Sequence, residues 1–210
     1  AVLRTLVELL QAQAPAQIVV ADRSGMGDTR QVMAAVGAAA LADELGLELV
    51  ALDELGAEAW TLVDAPGSHW RQGFPMPRVA LEADAIIMAC CLKTHRFGGH
   101  FTLSLKNGVG LVAKQLPGDS YNYMNELHGS PVQRTLIAEI NATFAPALVV
   151  IDGVAAFVSG GPDAGEPVAA NVVLAGSDRI ALDAVGVAIL RHFGTCLLYT
   201  SPSPRDRTRS

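Results

Sequence analysis

Residues 85–95, AIIMACCLKTH, pass without a break from the apolar run Ala85-Ile86-Ile87-Met88-Ala89 to Lys93, Thr94 and His95. A short run with no polar alternation reads as a strand covered on both faces, the pattern of α/β proteins. We place this strand over 85–90. Polar groups just beyond its carboxyl end would face the crevice where open α/β sheets hold ligands.

Outward from that strand, the pattern repeats on both sides. Leu3, Leu6, Val7, Leu9 and Leu10 recur at helical spacing up to Pro15, followed by the strand Ile18–Ala21, which ends on Asp22. A loop with Gly25 and Gly27 then leads to Asp28, a capping residue for a helix over 29–44, with Gln31 three positions on. The strand Leu47–Leu52 ends on Asp53, and Pro and Gly punctuation makes 56–77 mostly loop, with Trp60–Val63 the one strand candidate. Val79–Glu82 resembles a helical turn, and Leu103–Val112 reads as a helix or a buried loop. The spacing then predicts a helix over 131–144, a strand over 147–151 ending on Asp152, a strand over 171–175, and a helix over 179–192 entered through Asp178. This order predicts one α/β domain over 1–195, an open and mostly parallel sheet with helices on both faces. Asp22, Asp53, Lys93, His95, Asp152 and Asp178 would then share one rim.

With 50% apolar and 17% charged residues, the 210-residue chain can bury one sizeable core. A formal charge of −6 argues against nonspecific nucleic-acid binding, which needs a concentrated basic surface. No apolar segment reaches the ~20 residues that a membrane span requires. Three cysteines give no disulfide framework and point to a reducing, cytoplasmic setting. The chain opens inside a helix without a methionine, and residues 196–210 read like the in-frame translation of a sequencing adaptor, as in a metagenomic fragment. The expectation is therefore a polypeptide truncated at both ends with a non-native tail.

Lys93, His95 and Lys106 are the candidate catalytic residues. A lysine in a strand-end crevice neutralises a carboxylate or phosphate, or serves as base or Schiff-base former once burial lowers its pKa. Lys106 stands within the apolar run Leu103-Ser104-Leu105, where a charge needs a partner. Asp22, Gly25, Gly27, Thr94, Asn107, Asp152, Gly160, Gly161 and Asp178 are the candidate ligand-binding residues. The glycines would let backbone amides approach an anion, and Asn107 would donate to a developing oxyanion. Adjacent Cys90 and Cys91 are expected to be buried structural thiols pointing to opposite faces. His95, His100 and His128 lack the spacing of a structural zinc site, so a metal-free site is expected over a metal held by His95, His100 or an aspartate.

Taken together, Lys93-Thr94-His95, Thr102–Asn107 with Gly110, His128, Asp152-Gly153, Gly160-Gly161-Pro162 with Gly165, Gly176-x-Asp178 and Ala181-x-Asp183 resemble the domain of unknown function 362 family, across most of 16–194. Many members of that family carry ferredoxin-type four-cysteine iron-sulfur segments. The cysteines here do not match such a segment. The resemblance strengthens the site while leaving the cofactor unknown. The first functional expectation is a polar strand-end pocket that binds a small anionic molecule and is able to catalyse. The alternative is a redox-linked accessory domain whose partner is an iron-sulfur module or electron carrier.

Overall fold

The computed structural model describes residues 1–96 and 100–195, so the expected foreign tail at 196–210 lies outside the described residues. Its elements run α1 (Val2–Gln11), β1 (Val19–Asp22), α2 (Thr29–Ala35), α3 (Ala38–Leu45), β2 (Glu48–Ala51), β3 (Trp60–Val63), β4 (Phe74–Pro77), α4 (Arg78–Leu81), β5 (Ile87–His95) and β6 (His100–Thr102). They continue with α5 (Ser104–Asn107), α6 (Tyr123–Gly129), α7 (Gln133–Ala142), β7 (Leu148–Gly160), β8 (Gly165–Val168), β9 (Val172–Gly176) and α8 (Arg179–His192). Asp28 caps α2 by accepting the Gln31 amide at 2.8 Å, as its spacing predicts. The single helix expected over 29–44 is broken in two at Gly37, whose φ of 81° takes the chain out of the right-handed helix. Among the described residues no helix is long and apolar enough to cross a membrane.

The architecture is α/β, with a sheet that is mixed. β1 and β2 pair in parallel as a separate ribbon, and β3 and β4 form an antiparallel one. The main sheet has the order β6-β5-β7-β8, with β9 also paired to β7. Only β5 and β7 run parallel there; β6, β8 and β9 are antiparallel to their neighbours. The cause lies after Asp152. Instead of leaving the sheet for a crossover helix, the chain continues as β7 to Gly160 and reverses through Gly160 and Gly161, at φ 73° and 64°. It then returns along the same edge of β7 as β8 and β9. Two successive left-handed residues are affordable only for glycine, and the remaining stretch before β9 is too short for a crossover helix.

Register assigns the two faces. Met88, Leu92, Val149 and Ile151 are at most 4% exposed and join Leu103, Leu136, Ile140 and Leu190 in the main core. The helix α8 lies on this face, where Gly186 lets the Leu92 and Leu103 side chains come within 3.3 and 2.9 Å of where its Cβ would be. On the opposite face Ala89, Cys91, Val173 and Ala175 are exposed. Val150, between Ala89 and Ala175 on that face, is only 4% exposed, so the face is covered in part. Gly153 is a tight point in the core, since a Cβ there would meet Val172 Cγ2 at 2.7 Å and Leu92 Cδ2 at 3.0 Å. Gly153→Ala should lower unfolding stability by about 1–3 kcal/mol, as overpacking of a filled core does; urea denaturation that leaves the midpoint unchanged would contradict this packing.

Candidate functional site

A helix of four residues has almost no internal hydrogen bonding, so α5 must be held by its surroundings. Asp183 of α8 does this. Its buried carboxylate accepts Ser104 N–H at 2.8 Å, the Ser104 hydroxyl at 2.5 Å and Leu105 N–H at 3.1 Å. From α7, buried Asn141 donates to Leu105 O and to Ile137 O, both at 2.8 Å. Arg179 in turn donates to Asn141 Oδ1 at 2.7 Å and stacks 4.7 Å over the Phe144 ring. The Asn107 amide reaches Ala89 O at 3.4 Å, docking the end of α5 on the free edge of β5. Ser104 and Asp183 belong to the sequence motifs singled out above, and their role here is to build this support.

The next turn, Gly108–Leu111, wraps a buried arginine. Arg23, 5% exposed, follows β1 and donates from Nε to Val112 O and from Nη2 to Val109 O, each at 2.8 Å, and from Nη1 to Ser24 O at 3.3 Å. The sequence places Arg23 in a loop, and nothing in it marks the approach of Gly110, where a Cβ would stand at an ordinary 3.5 Å from Asp22 Oδ1. Burial lowers the Arg23 pKa, opposed by Asp22 and then Asp53. Lys106 stands half-buried beside this guanidinium, and both burial and the charge of Arg23 push its pKa down from the ordinary lysine value. Among the described residues Lys106 forms no ion pair. Asp22 accepts the Arg23 amide at 2.7 Å, while Asp53 accepts the Thr29 hydroxyl at 2.8 Å. Gly25 and Gly27 are exposed in the adjoining loop.

A second group gathers at the exit of β5. Lys93 lies opposite Thr102, Thr94 opposite Phe101 and His95 opposite His100, while Cys91 lies opposite Asp152 on β7. Alternation puts Cys91, Lys93 and His95 on the more open face and Leu92 and Thr94 on the buried one. Asp152 Oδ1 accepts the Val154 amide at 3.0 Å. The glycine loop is a close neighbour: a Cβ on Gly161 would lie 2.0 Å from Thr94 O, and Gly161 O accepts Arg96 N and Nη1 at 3.2 and 2.9 Å. Arg96 also pairs with Asp163 at 2.6 Å. Thr94 is 4% exposed, and among the described residues its hydroxyl has no hydrogen-bond partner.

Asp178 stands apart from both groups, which corrects the shared rim. β9 is antiparallel to β7, so its carboxyl end at Gly176 lies opposite Val149, at the start of β7, whereas Asp152 lies farther along that strand. Asp178 serves as the cap of α8, accepting the Ile180 and Ala181 amides at 2.9 and 3.0 Å. Cys91 is exposed rather than buried, while Cys90 faces the core and burial pushes its thiol up to about 12. His128 is exposed on α6, bonded to Met124 O. Among the described residues no three His, Cys, Asp or Glu side chains converge to hold a metal ion. Two shallow concavities of about 440 and 180 Å³ lie at the opposite strand ends, beside Ile18 and Leu47 and beside Ile86 and Ala147. Neither concavity is lined by a candidate site residue.

The model of one family, described as Domain of unknown function (DUF362), matches residues 1–188. No curated protein and no solved structure matches the chain.

Removing the Asp183 carboxylate leaves the Ser104 and Leu105 amides without their acceptor, while the Ser104 hydroxyl keeps Arg179 O at 3.2 Å, so Asp183→Ala should cost at least about 2 kcal/mol of stability in chemical denaturation. In the folded protein, Cys90 should resist iodoacetamide and become reactive only on unfolding, since the thiol must ionise to react. Peptide mapping that finds Cys90 alkylated under native conditions would refute its placement.

Proposed function

From the premise that the chain belongs to the DUF362 family, we propose that it binds a small anionic molecule at the face formed by Lys106 and the loop after β1. One feature carries this reading: Lys106 is half-buried near the buried Arg23, and among the described residues no carboxylate forms an ion pair with it. Such an arrangement costs free energy in the empty protein, because desolvation and like charge both disfavour the ammonium. A bound anion relieves both. The Arg23 guanidinium is spent on backbone carbonyls, so it shapes the local field while Lys106 makes the contact. Gly25 and Gly27 add backbone that a ligand can approach closely, with Gly27 at φ 77°.

Lys93 and His95 enter the proposal through register. Thr102, opposite Lys93, precedes the first residue of α5 by two, so a ligand extending from Lys106 toward the exit of β5 would meet the Lys93 ammonium and the His95 ring. Thr94 and Gly161 pack beneath that end, and Asp152 flanks it. The free thiols of Cys90 and Cys91 support a reducing compartment, and we place the protein in the cytoplasm.

Calorimetric titration with inorganic phosphate tests the reading. Wild-type protein should bind, Lys106→Met should lose about tenfold or more in affinity, corresponding to about 1.4 kcal/mol, and Lys114→Met should bind as wild type. Affinity should fall as pH rises through the lowered Lys106 pKa, earlier than for an ordinary lysine. The same shift fixes the sign of a stability effect: the unfolded chain holds the Lys106 proton more tightly, so Lys106→Met should be more stable than wild type at neutral pH, and the gain should vanish above the unfolded-state lysine pKa. Equal phosphate affinity in wild type and Lys106→Met would overturn the proposal.

A further inference from the structure

The strand β9 lies at an edge of the main sheet. Its inner side pairs with β7 from Val149 to Gly153, and among the described residues no other strand closes its outer side. Every second residue of such an edge turns a backbone N–H and C=O outward without a sheet partner. Soluble proteins blunt exposed edges with lysine, proline, a bulge or a cover. Here the run from Val168 to Ser177 holds neither a charge nor a proline, the register with β7 has no bulge, and Val173 is 52% exposed.

The helix that follows is open on the same flank. Leu182 Cδ1 lies 3.7 Å from where a Cβ of Gly176 would be, which fixes the side of α8 nearest β9. Helical spacing puts Val185 and Ile189 on that side with Leu182. None of the three is fully buried, and Val185 is 47% exposed. From Ile180 to Leu190 the one charged residue is Asp183, which is buried against α5. A surface helix carries polar residues on its outer face, whereas a helix apolar all round is a covered one.

We propose that a second copy of this chain covers both surfaces, through antiparallel pairing of the two β9 strands about a twofold axis at the middle of the strand. An axis perpendicular to the sheet continues the sheet from one copy into the next, keeps both α8 helices on the same face, and closes the assembly at two copies. The helices then run antiparallel, and the flank of Leu182, Val185 and Ile189 on one meets that of the other. Charge complementarity selects a second copy over an unrelated strand. Asp178 is exposed at the start of α8, and Arg191 and His192 are exposed in its last turn. Antiparallel placement sets the Asp178 end of one helix beside the Arg191 and His192 end of the other and opposes the two helix dipoles. A 5-residue strand edge with one helix flank covers less than the about 800 Å² per partner of a standard interface, so the dissociation constant is expected on the order of 10 μM.

Sedimentation velocity of the full chain over about 1–300 μM reads the association. Wild type should pass from monomer to dimer across that range. Val173→Lys, which adds an edge guard, and Val185→Glu, whose carboxylate meets its own counterpart across the axis, should each raise the dissociation constant about tenfold or more. Val36→Glu, at a position 74% exposed at the end of α2, should dimerise as wild type. Hydrogen exchange on the wild type supplies a readout free of any variant: the amides of Val172–Gly176 should gain protection as protein concentration rises, and this decides the matter should a variant fail to fold. A chain that stays monomeric throughout would overturn the inference, whether its β9 amides exchange freely or are protected at every concentration by another part of the same chain. A dimer that both variants leave intact, or assembly beyond two copies, would overturn it as well.

Discussion

The acceptance of three hydrogen bonds by Asp183 is the constraint on which the candidate site depends. A four-residue helix cannot sustain itself, yet α5 is where Lys106 and Asn107 must be held. The carboxylate occupies the place of the missing preceding turn for Ser104 and Leu105, and Asn141 closes the other end by donating to Leu105 O. Arg179 locks Asn141 and is itself held over Phe144. Three elements far apart in sequence, α5, α7 and α8, thereby become one rigid support.

That support lets the protein hold charges in a costly arrangement. Arg23 is satisfied by backbone carbonyls, which accept its donors without neutralising it. Its positive charge persists, and Lys106 feels it across the turn that both share. On a mobile loop Lys106 would swing into solvent and recover its hydration. Anchored to α5, it keeps part of the desolvation cost.

The mixed sheet follows from a different local decision. Parallel pairing of β5 and β7 brings Cys91 opposite Asp152, and the shift in register beyond Cys91 lets β7 continue to pair with Lys93 at Phe157. The Gly160-Gly161 reversal then turns β8 and β9 back along β7, presses Gly161 onto the Thr94 carbonyl and gives Arg96 its acceptors. The same reversal carries Asp178 away to the far end of the sheet. One glycine pair thus decides both the cover over the exit of β5 and which acidic residue is excluded from it.

Much of the local structure was legible in the chain. The limits of α8, the cap at Asp28, the strand cores around Ile87 and Val149 and the crowding of polar groups after β5 all express short-range periodicity and capping, which neighbouring residues settle among themselves. The conflict posed by Lys106 within an apolar run was legible for the same reason. Strand direction was not: Asn171–Ala175 reads as a strand whichever way it runs, and the hydrogen bonds that made it antiparallel lie on β7. Nor could the sequence declare Arg23 the neighbour of Lys106 or Asp183 the anchor of Ser104, because those distances, across about eighty residues, arise only when separate elements pack. Composition and periodicity determined which elements this chain forms and which residues stand at their ends; tertiary packing alone decided which of those ends meet, since burial and hydrogen-bond satisfaction are properties of the assembled core.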